Sequence, residues 1–346
     1  MSVEPLYSVV ISTYNRGATL RGAIRSVLDL DPASPPHEII VVDNNSTDDT
    51  RAVIESMIPA SGGRLRYRFE REQGASHGRN AGAAAARGSV VVFTDDDVRA
   101  TPGWLRAIDS TFAAHPEMAY TGGPIRPIWP QDPPDWLTDW FWSPLAILDY
   151  GELGLEIGRL PFRCLVSANL AVRKAAFDAV GGFDPRFQHA RGAVTASEDH
   201  ELELRLLNAG YRGWYDPSIE MYAEVQRNRL TKAYHRKWAF DHGRAFVRMT
   251  PAGVLFDGHA TFTPEPPDAR HFLGAPLWMY RELLRDIRRY LSLLRPGKRQ
   301  DRLWMQFRML TELGTLHEFF VSRNARLPAD SFGTSGSFVA ARESVT

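Results

Sequence analysis

The chain has 346 residues, of which 44% are hydrophobic and 24% charged, the composition of an ordinary globular protein with one large α/β domain and an appendage, or two domains. Lys+Arg and Asp+Glu each number 41, and the resulting net charge of zero argues against a globally basic nucleic-acid binder. One cysteine, Cys164, excludes an intrachain disulfide and a thiolate metal site, and fits a reducing compartment.

Met1 to Pro5 carries neither a basic start nor an apolar run, so no signal peptide is expected. No stretch approaches the ~18–20 apolar residues of a membrane span. Tyr7 to Thr13 reads as a buried strand that breaks at Tyr14-Asn15-Arg16-Gly17. Leu20, Ala23, Ile24, Val27 and Leu28 then fall on one helical face, and Asp31-Pro32 and Pro35-Pro36 stop that helix. Glu38 to Asp43 is a second buried strand ending in an acid. Asn44 to Asp49 is a turn rich in helix-cap residues, and Val53, Ile54, Met57 and Ile58 share the face of the next helix. Leu65 to Glu70 is more polar and is expected nearer a sheet edge. Gly74 to Arg87 is rich in small residues and reads as helical after Gly78.

Val90-Val91-Val92-Phe93 is a strand buried on both faces, and it runs directly into Thr94-Asp95-Asp96-Asp97. Three adjacent carboxylates repel one another and cannot enter a core unpaired. They must face a cleft, water or a cation, and a strand's carboxyl end is where an open α/β sheet presents a ligand site. An Asp-x-Asp pair there suits a hard divalent cation. This strand–helix alternation over about a hundred residues predicts a doubly wound, mostly parallel sheet.

Beyond Asp97 the rhythm is irregular. Pro102-Gly103-Trp104 opens a helix to about His115, and Ala119 to Ile125 reads as one strand. Ile128 to Pro144 holds Trp129, Trp136, Trp140 and Trp142 among prolines; packing, sugar stacking and membrane contact all remain open for them. Leu165 to Val172 is strand-like, a short helix follows, and Ser197 to Ala209 is a capped helix with Glu201 and Arg205 spaced to pair. Leu277 to Leu294 and Asp301 to Phe320 are two amphipathic helices. Between Leu277 and Arg308 there are nine Arg/Lys and three Asp/Glu, a local +6. Such helices suit either an anionic membrane surface or a solvated face packed on a domain. The residues after Pro328 are rich in Ser, Gly and Ala and are expected to be disordered.

Val10 to Arg16, Val41 to Asp48, Gly78-Arg79-Asn80-Ala81-Gly82, Phe93 to Asp97 and Ser197-Glu198-Asp199-His200-Glu201-Leu202 occur in the order and rough spacing of the family 2 glycosyltransferases, which the chain resembles over roughly residues 5–245. The resemblance implies a GT-A fold and an inverting hexosyltransferase. Residues 1–270 would form the catalytic domain, with 1–100 holding the nucleotide-sugar and 101–270 the acceptor. Residues 271–325 would be a basic helical extension and 326–346 a disordered tail. It further implies that Thr13, Tyr14, Arg16, Asp43, Asn45, Arg79, Asp95 and Asp96 hold the donor nucleotide, and that Asp97 holds Mg²⁺ or Mn²⁺ on the diphosphate. Asp199 would be the general base, kept ionised by its helix terminus, with Asn169, Glu198 and Trp136 on the acceptor side.

The implied partners are a nucleotide-diphosphate sugar, UDP favoured, and a glycan or lipid-linked acceptor, with no nucleic acid. The implied setting is cell-envelope polysaccharide synthesis in a bacterial cytoplasm, with 277–308 a candidate for peripheral membrane contact. The sequence departs from the family near Tyr222 to Val225, where a frequent His is missing; Glu224 or His235, the latter read as a surface helix residue, is a candidate substitute. Two alternatives compete. A sugar-nucleotide nucleotidyltransferase would want a Gly-rich basic loop in place of Thr13 to Gly17. A non-catalytic module would not keep both acid clusters. A dinucleotide dehydrogenase lacks its Gly-x-Gly-x-x-Gly.

Overall fold

The middles of the first strands are apolar on both faces because each is covered on both sides. Along β1 (Tyr7–Thr13), β2 (His37–Asp43) and β4 (Val90–Asp95), Val9, Ile11, Ile39, Val41 and Val92 enter one core. Their alternates Val10, Ile40, Val42, Val91 and Phe93 enter a second core on the opposite face. The computed structural model describes residues 6–158, 163–188, 197–249 and 269–322, with the backbone of 254–256 and 262–264. The loop before Ser197 and the expected tail therefore lie outside the described residues.

The chain divides into two compact units. The first comprises 1–158, 164–189 and 198–229, and the second comprises 159–163, 190–197 and 230–346.

In the first unit an eight-stranded sheet has the order β3-β2-β1-β4-β9-β6-β10-β8. Here β3 is Leu65–Phe69, β6 Met118–Gly122, β8 Leu155–Ile157, β9 Asn169–Arg173 and β10 Arg212–Tyr215. The first four strands of that order are parallel, and β3 lies at the edge, as its polarity predicts. β9 runs antiparallel to both β4 and β6, while β6 and β10 are parallel. Register sets the site: Thr13 lies opposite Asp43 and Ser12 opposite Asp95, so three strand ends are level at one sheet edge.

The helices of this unit are α1 (Gly17–Leu28), α2 (Thr50–Met57), α3 (Ala75–Ala85), α4 (Trp104–Ala114), α5 (Lys174–Val180) and α6 (Glu198–Asn208). α3 begins before Gly78, and its glycines let it lie low on the sheet. A Cβ on Gly78 would come 2.1 Å from Ser12 Oγ, and one on Gly82 2.3 Å from Val10 Cγ1.

One expectation is corrected. Ala119 to Ile125 is not a single strand: β6 ends at Gly122, and β7 (Ile125–Ile128) joins a separate sheet of order β5-β11-β7. Its partners are β5 (Val98–Ala100), which sequence reading missed, and β11 (Met221–Glu224). The chain leaves the large sheet where only glycine fits: a Cβ on Gly122 would sit 2.3 Å from Asn169 O, and one on Gly123 2.3 Å from Ile219 O.

The second unit contains α7 (Lys232–Met249), the antiparallel pairs β12 (Val254–Phe256) with β13 (Phe262–Pro264) and β14 (His271–Phe272) with β15 (Ala275–Pro276), then α8 (Leu277–Ser292) and α9 (Arg299–Val321). Gly243 on α7 and Gly314 on α9 let two backbones touch, since added Cβ atoms would meet Thr311 O at 1.9 Å and Phe240 O at 2.0 Å. The buried Glu318 accepts from Arg244 Nε at 2.9 Å and Arg248 Nε at 2.7 Å. His235 is fully buried on α7 and stacks on Phe307, so it is not the surface histidine its sequence context suggests. No helix among the described residues is long and apolar enough to cross a membrane.

Candidate active site

β4 ends at Asp95 and β5 begins at Val98, so Asp96 and Asp97 form the turn between two sheets. Like charges so close need counter-charges, and the loop after β1 supplies one. Arg16 Nη1 reaches Asp96 Oδ1 at 2.9 Å and Asp97 Oδ2 at 2.7 Å. Thr13 Oγ1 donates to Asp96 Oδ2 at 2.6 Å. Asp96 is only 4% exposed, and burial pushes its carboxyl up to about 6 against the opposing charge of Arg16.

Arg79, on the first turns of α3, is buried and lies over the Phe183 ring. It donates from Nη2 to Asp95 Oδ1 and from Nη1 to Glu198 Oε1, each at 3.0 Å. One guanidinium thus joins carboxylates 103 positions apart in the chain, on β4 and α6.

The loops after β1 and β2 knit together. Asn15 and Asn45 hold left-handed φ values of 51° and 66°, a region asparagine tolerates better than most residues. Asn15 Oδ1 accepts from Thr47 N at 2.7 Å, and Asn15 N donates to Ser46 Oγ at 3.0 Å. Asp43 accepts from Ser46 N at 2.9 Å and Tyr67 OH at 3.1 Å. Tyr14 stands exposed beside them.

On the other side of Arg79, Asp199 Oδ1 is buried with no hydrogen-bond partner among the described residues, as is Glu198 Oε2. Asp199 acts on Arg79 electrostatically, so it lies near the same guanidinium. Burial and then the charge of Asp199 drive the Glu198 carboxyl upward, with Arg79 opposing. Burial lowers His200 and so favours its neutral ring. One turn along α6, Glu203 is fully buried; it accepts from Leu165 N at 2.8 Å and Cys164 Sγ at 3.4 Å. Sequence reading passed over Glu203. Its only signal was an acid on the apolar side of α6. Burial raises both Glu203 and the Cys164 thiol, which leaves the thiol protonated and unreactive.

Thr13, Arg16, Asp96 and Asp97 therefore form one hydrogen-bonded group, and Arg79, Asp95 and Glu198 another, with Asp199 beside it. Asn169 makes its contacts elsewhere. It donates to Ile219 O at 2.7 Å and Pro124 O at 3.2 Å, and it accepts from Trp104 Nε1 at 2.8 Å. Trp136 packs edge-on against Phe141. Glu224 pairs with Arg99, and its N–H donates to Asp97 O at 2.9 Å.

Among the described residues no three His, Cys, Asp or Glu side chains are gathered to hold a metal alone. A cation carried on a diphosphate needs only one or two protein carboxylates, the rest of its shell being phosphate and water. Asp97 fits that role: its side chain is 17% accessible, and Arg16 is recorded on Oδ2 alone.

The chain is 30% identical over 227 residues to a validoxylamine A glucosyltransferase of Streptomyces hygroscopicus subsp. jinggangensis, covering 58% of this chain and 51% of that protein. It thus spans about half the length of the curated relatives it matches. Residues 1–349 of S. aureus TarS, solved with UDP, superpose with a TM-score of 0.51 at 16% identity, over 92% of this chain and 90% of that one. Mannosyltransferase PcManGT of Pyrobaculum calidifontis, solved with GDP-Man and Mn²⁺, gives 0.50 at 16% identity, over 94% and 76%. At these identities the likeness is one of fold, the GT-A fold. The model for glycosyl transferase family 2 matches residues 8–181, half the chain. The chain belongs to glycosyl transferase family 2.

Proposed function

We propose that the protein transfers a sugar from a nucleotide-diphosphate donor to a hydroxyl of a glycan or lipid-linked acceptor, with inversion, in a single displacement. The observation that carries this reading is the position of Asp199. A carboxylate with one buried oxygen that has no partner among the described residues sits beside an arginine that is itself tied to Asp95. Asp199 is the general base: its free Oδ1 accepts the acceptor proton as the hydroxyl attacks the anomeric carbon. Burial draws Glu198 toward its neutral form. Arg79 holds the two acid motifs at fixed separation, and Thr13 and Arg16 hold the Asp96–Asp97 turn. Asp43 and Asn45 border the nucleoside. A divalent cation at Asp97, Mg²⁺ or Mn²⁺, would offset charge on the departing diphosphate.

Uridine is the proposed base, in keeping with the TarS complex with UDP. The GDP-Man complex of the mannosyltransferase makes guanosine the competitor. Melting-temperature shifts with UDP-, GDP- and dTDP-sugars separate the two. The decisive variant is Asp199→Asn. It should cut transfer about 10²–10⁴-fold while leaving donor affinity unchanged. Transfer at the wild-type rate removes Asp199 from this role.

A further inference from the structure

The charges of α8 are sorted by face. Its two acids turn toward α9: Asp286 is buried and paired with Arg308, and Glu282 lies within 3.8 Å of the same guanidinium. On the solvent side Leu284, Ile287, Leu291 and Leu294 are 56%, 38%, 56% and 56% exposed. Their spacing of three and four residues places them in one stripe. The stripe continues backward through Tyr280 to the exposed Phe272 of β14, whose ring meets that of Tyr280 at 5.6 Å. Along one flank stand the exposed arginines Arg281, Arg288 and Arg295, with Arg289 a little farther round; they form no ion pair among the described residues.

A monomer rarely leaves so continuous an apolar strip in water. Two occupants could cover it: a second copy of α8 or a lipid surface. Arg281, Arg288 and Arg295 recur every seven residues beside the strip, so a paired copy would bring arginine against arginine with no exposed acid on this face to answer it. An anionic surface answers every one of those charges. Lipid also accepts the leucines, while arginine stems lie along the apolar boundary with their heads at phosphate level.

We propose that α8 and the β14–β15 hairpin form a membrane-docking face, which rests the exposed aliphatic stripe in the headgroup boundary of an anionic phospholipid bilayer. This contact stands independently of the site chemistry. It would bring the chain to substrates displayed on a bilayer.

The test is co-sedimentation of the full chain with vesicles of pure phosphatidylcholine and with vesicles carrying about 30% phosphatidylglycerol. Binding is expected on the anionic vesicles only, and to weaken sharply as salt rises. Arg281→Gln/Arg288→Gln/Arg289→Gln should weaken it about a hundredfold, and Leu284→Gln/Leu291→Gln about tenfold or more. All five side chains are exposed, and unchanged melting curves will confirm that the variants are folded. The proposal is overturned by absence of binding, by equal binding to both vesicle types, or by variants that bind like the parent chain. A concentration-dependent dimer that the leucine changes dissolve also overturns it, assigning the stripe to a second copy.

Discussion

The two acidic ends of the first unit meet on one arginine yet are finished differently. At the end of β4 each of three carboxylates is engaged: Asp95 by Arg79, Asp96 by Thr13 and Arg16, Asp97 by Arg16. At the start of α6 Asp199 keeps a buried oxygen with no partner among the described residues. Holding three acids together requires their charge to be offset, and the arginines do this. Accepting a proton requires the reverse, a carboxylate whose lone pairs are not already committed. The contrast teaches that the same residue type is a scaffold where its hydrogen bonds are filled and a reagent where they are left open.

The contrast can be broken first at the residue that joins its halves. Arg79→Gln strands two carboxylates, one of them buried, and should cost about 3–5 kcal/mol of unfolding free energy in urea. Adding Glu198→Gln should restore part of that loss. A loss below about 1 kcal/mol would mean that Arg79 is not holding the motifs together.

The donor side is sharpened next by pH. The folded-state carboxyl of Asp96 is raised from 3.8 to about 6, so its contribution is present in full below the unfolded value and is lost as pH rises through about 6. The stability of Asp96→Asn relative to the parent chain should therefore climb by about 3 kcal/mol at most between pH 4 and 7. A flat difference would contradict a buried, ionised Asp96. The smallest expected effect is on donor affinity. Chelator or Asp97→Asn should weaken calorimetric binding of the diphosphate-sugar about tenfold, and chelator should do nothing further to the variant.

Most of the parallel half was legible because three or more successive β-branched residues, as in Val9 to Ile11 or Val90 to Val92, suit a strand covered on both faces. The polar alternation of Leu65 to Glu70 likewise marked the edge. What escaped depended on distant contacts. Nothing in Gly122-Gly123-Pro124 states that Asn169 O and Ile219 O press on it, so the break between β6 and β7 was invisible. Val98-Arg99-Ala100 is too short to carry a period. The acidic motifs were visible as motifs, whereas the pairing of Arg79 with both of them was not. Its two partners lie 16 and 119 residues away, and no local pattern encodes that pairing. His235 was misread for the same reason, since its burial is set by Phe307 on another helix.

The low seat of α3 on the sheet carries a consequence for tolerance to mutation. Arg79 reaches both acids only because Gly78 and Gly82 leave no side chain beneath the helix. Even alanine at either position must lift or tilt the helix and carry the guanidinium away from both carboxylates at once. A saturation scan should thus score two residues without any functional group as harshly as the acids themselves, and the protein's least replaceable atoms would include two hydrogens.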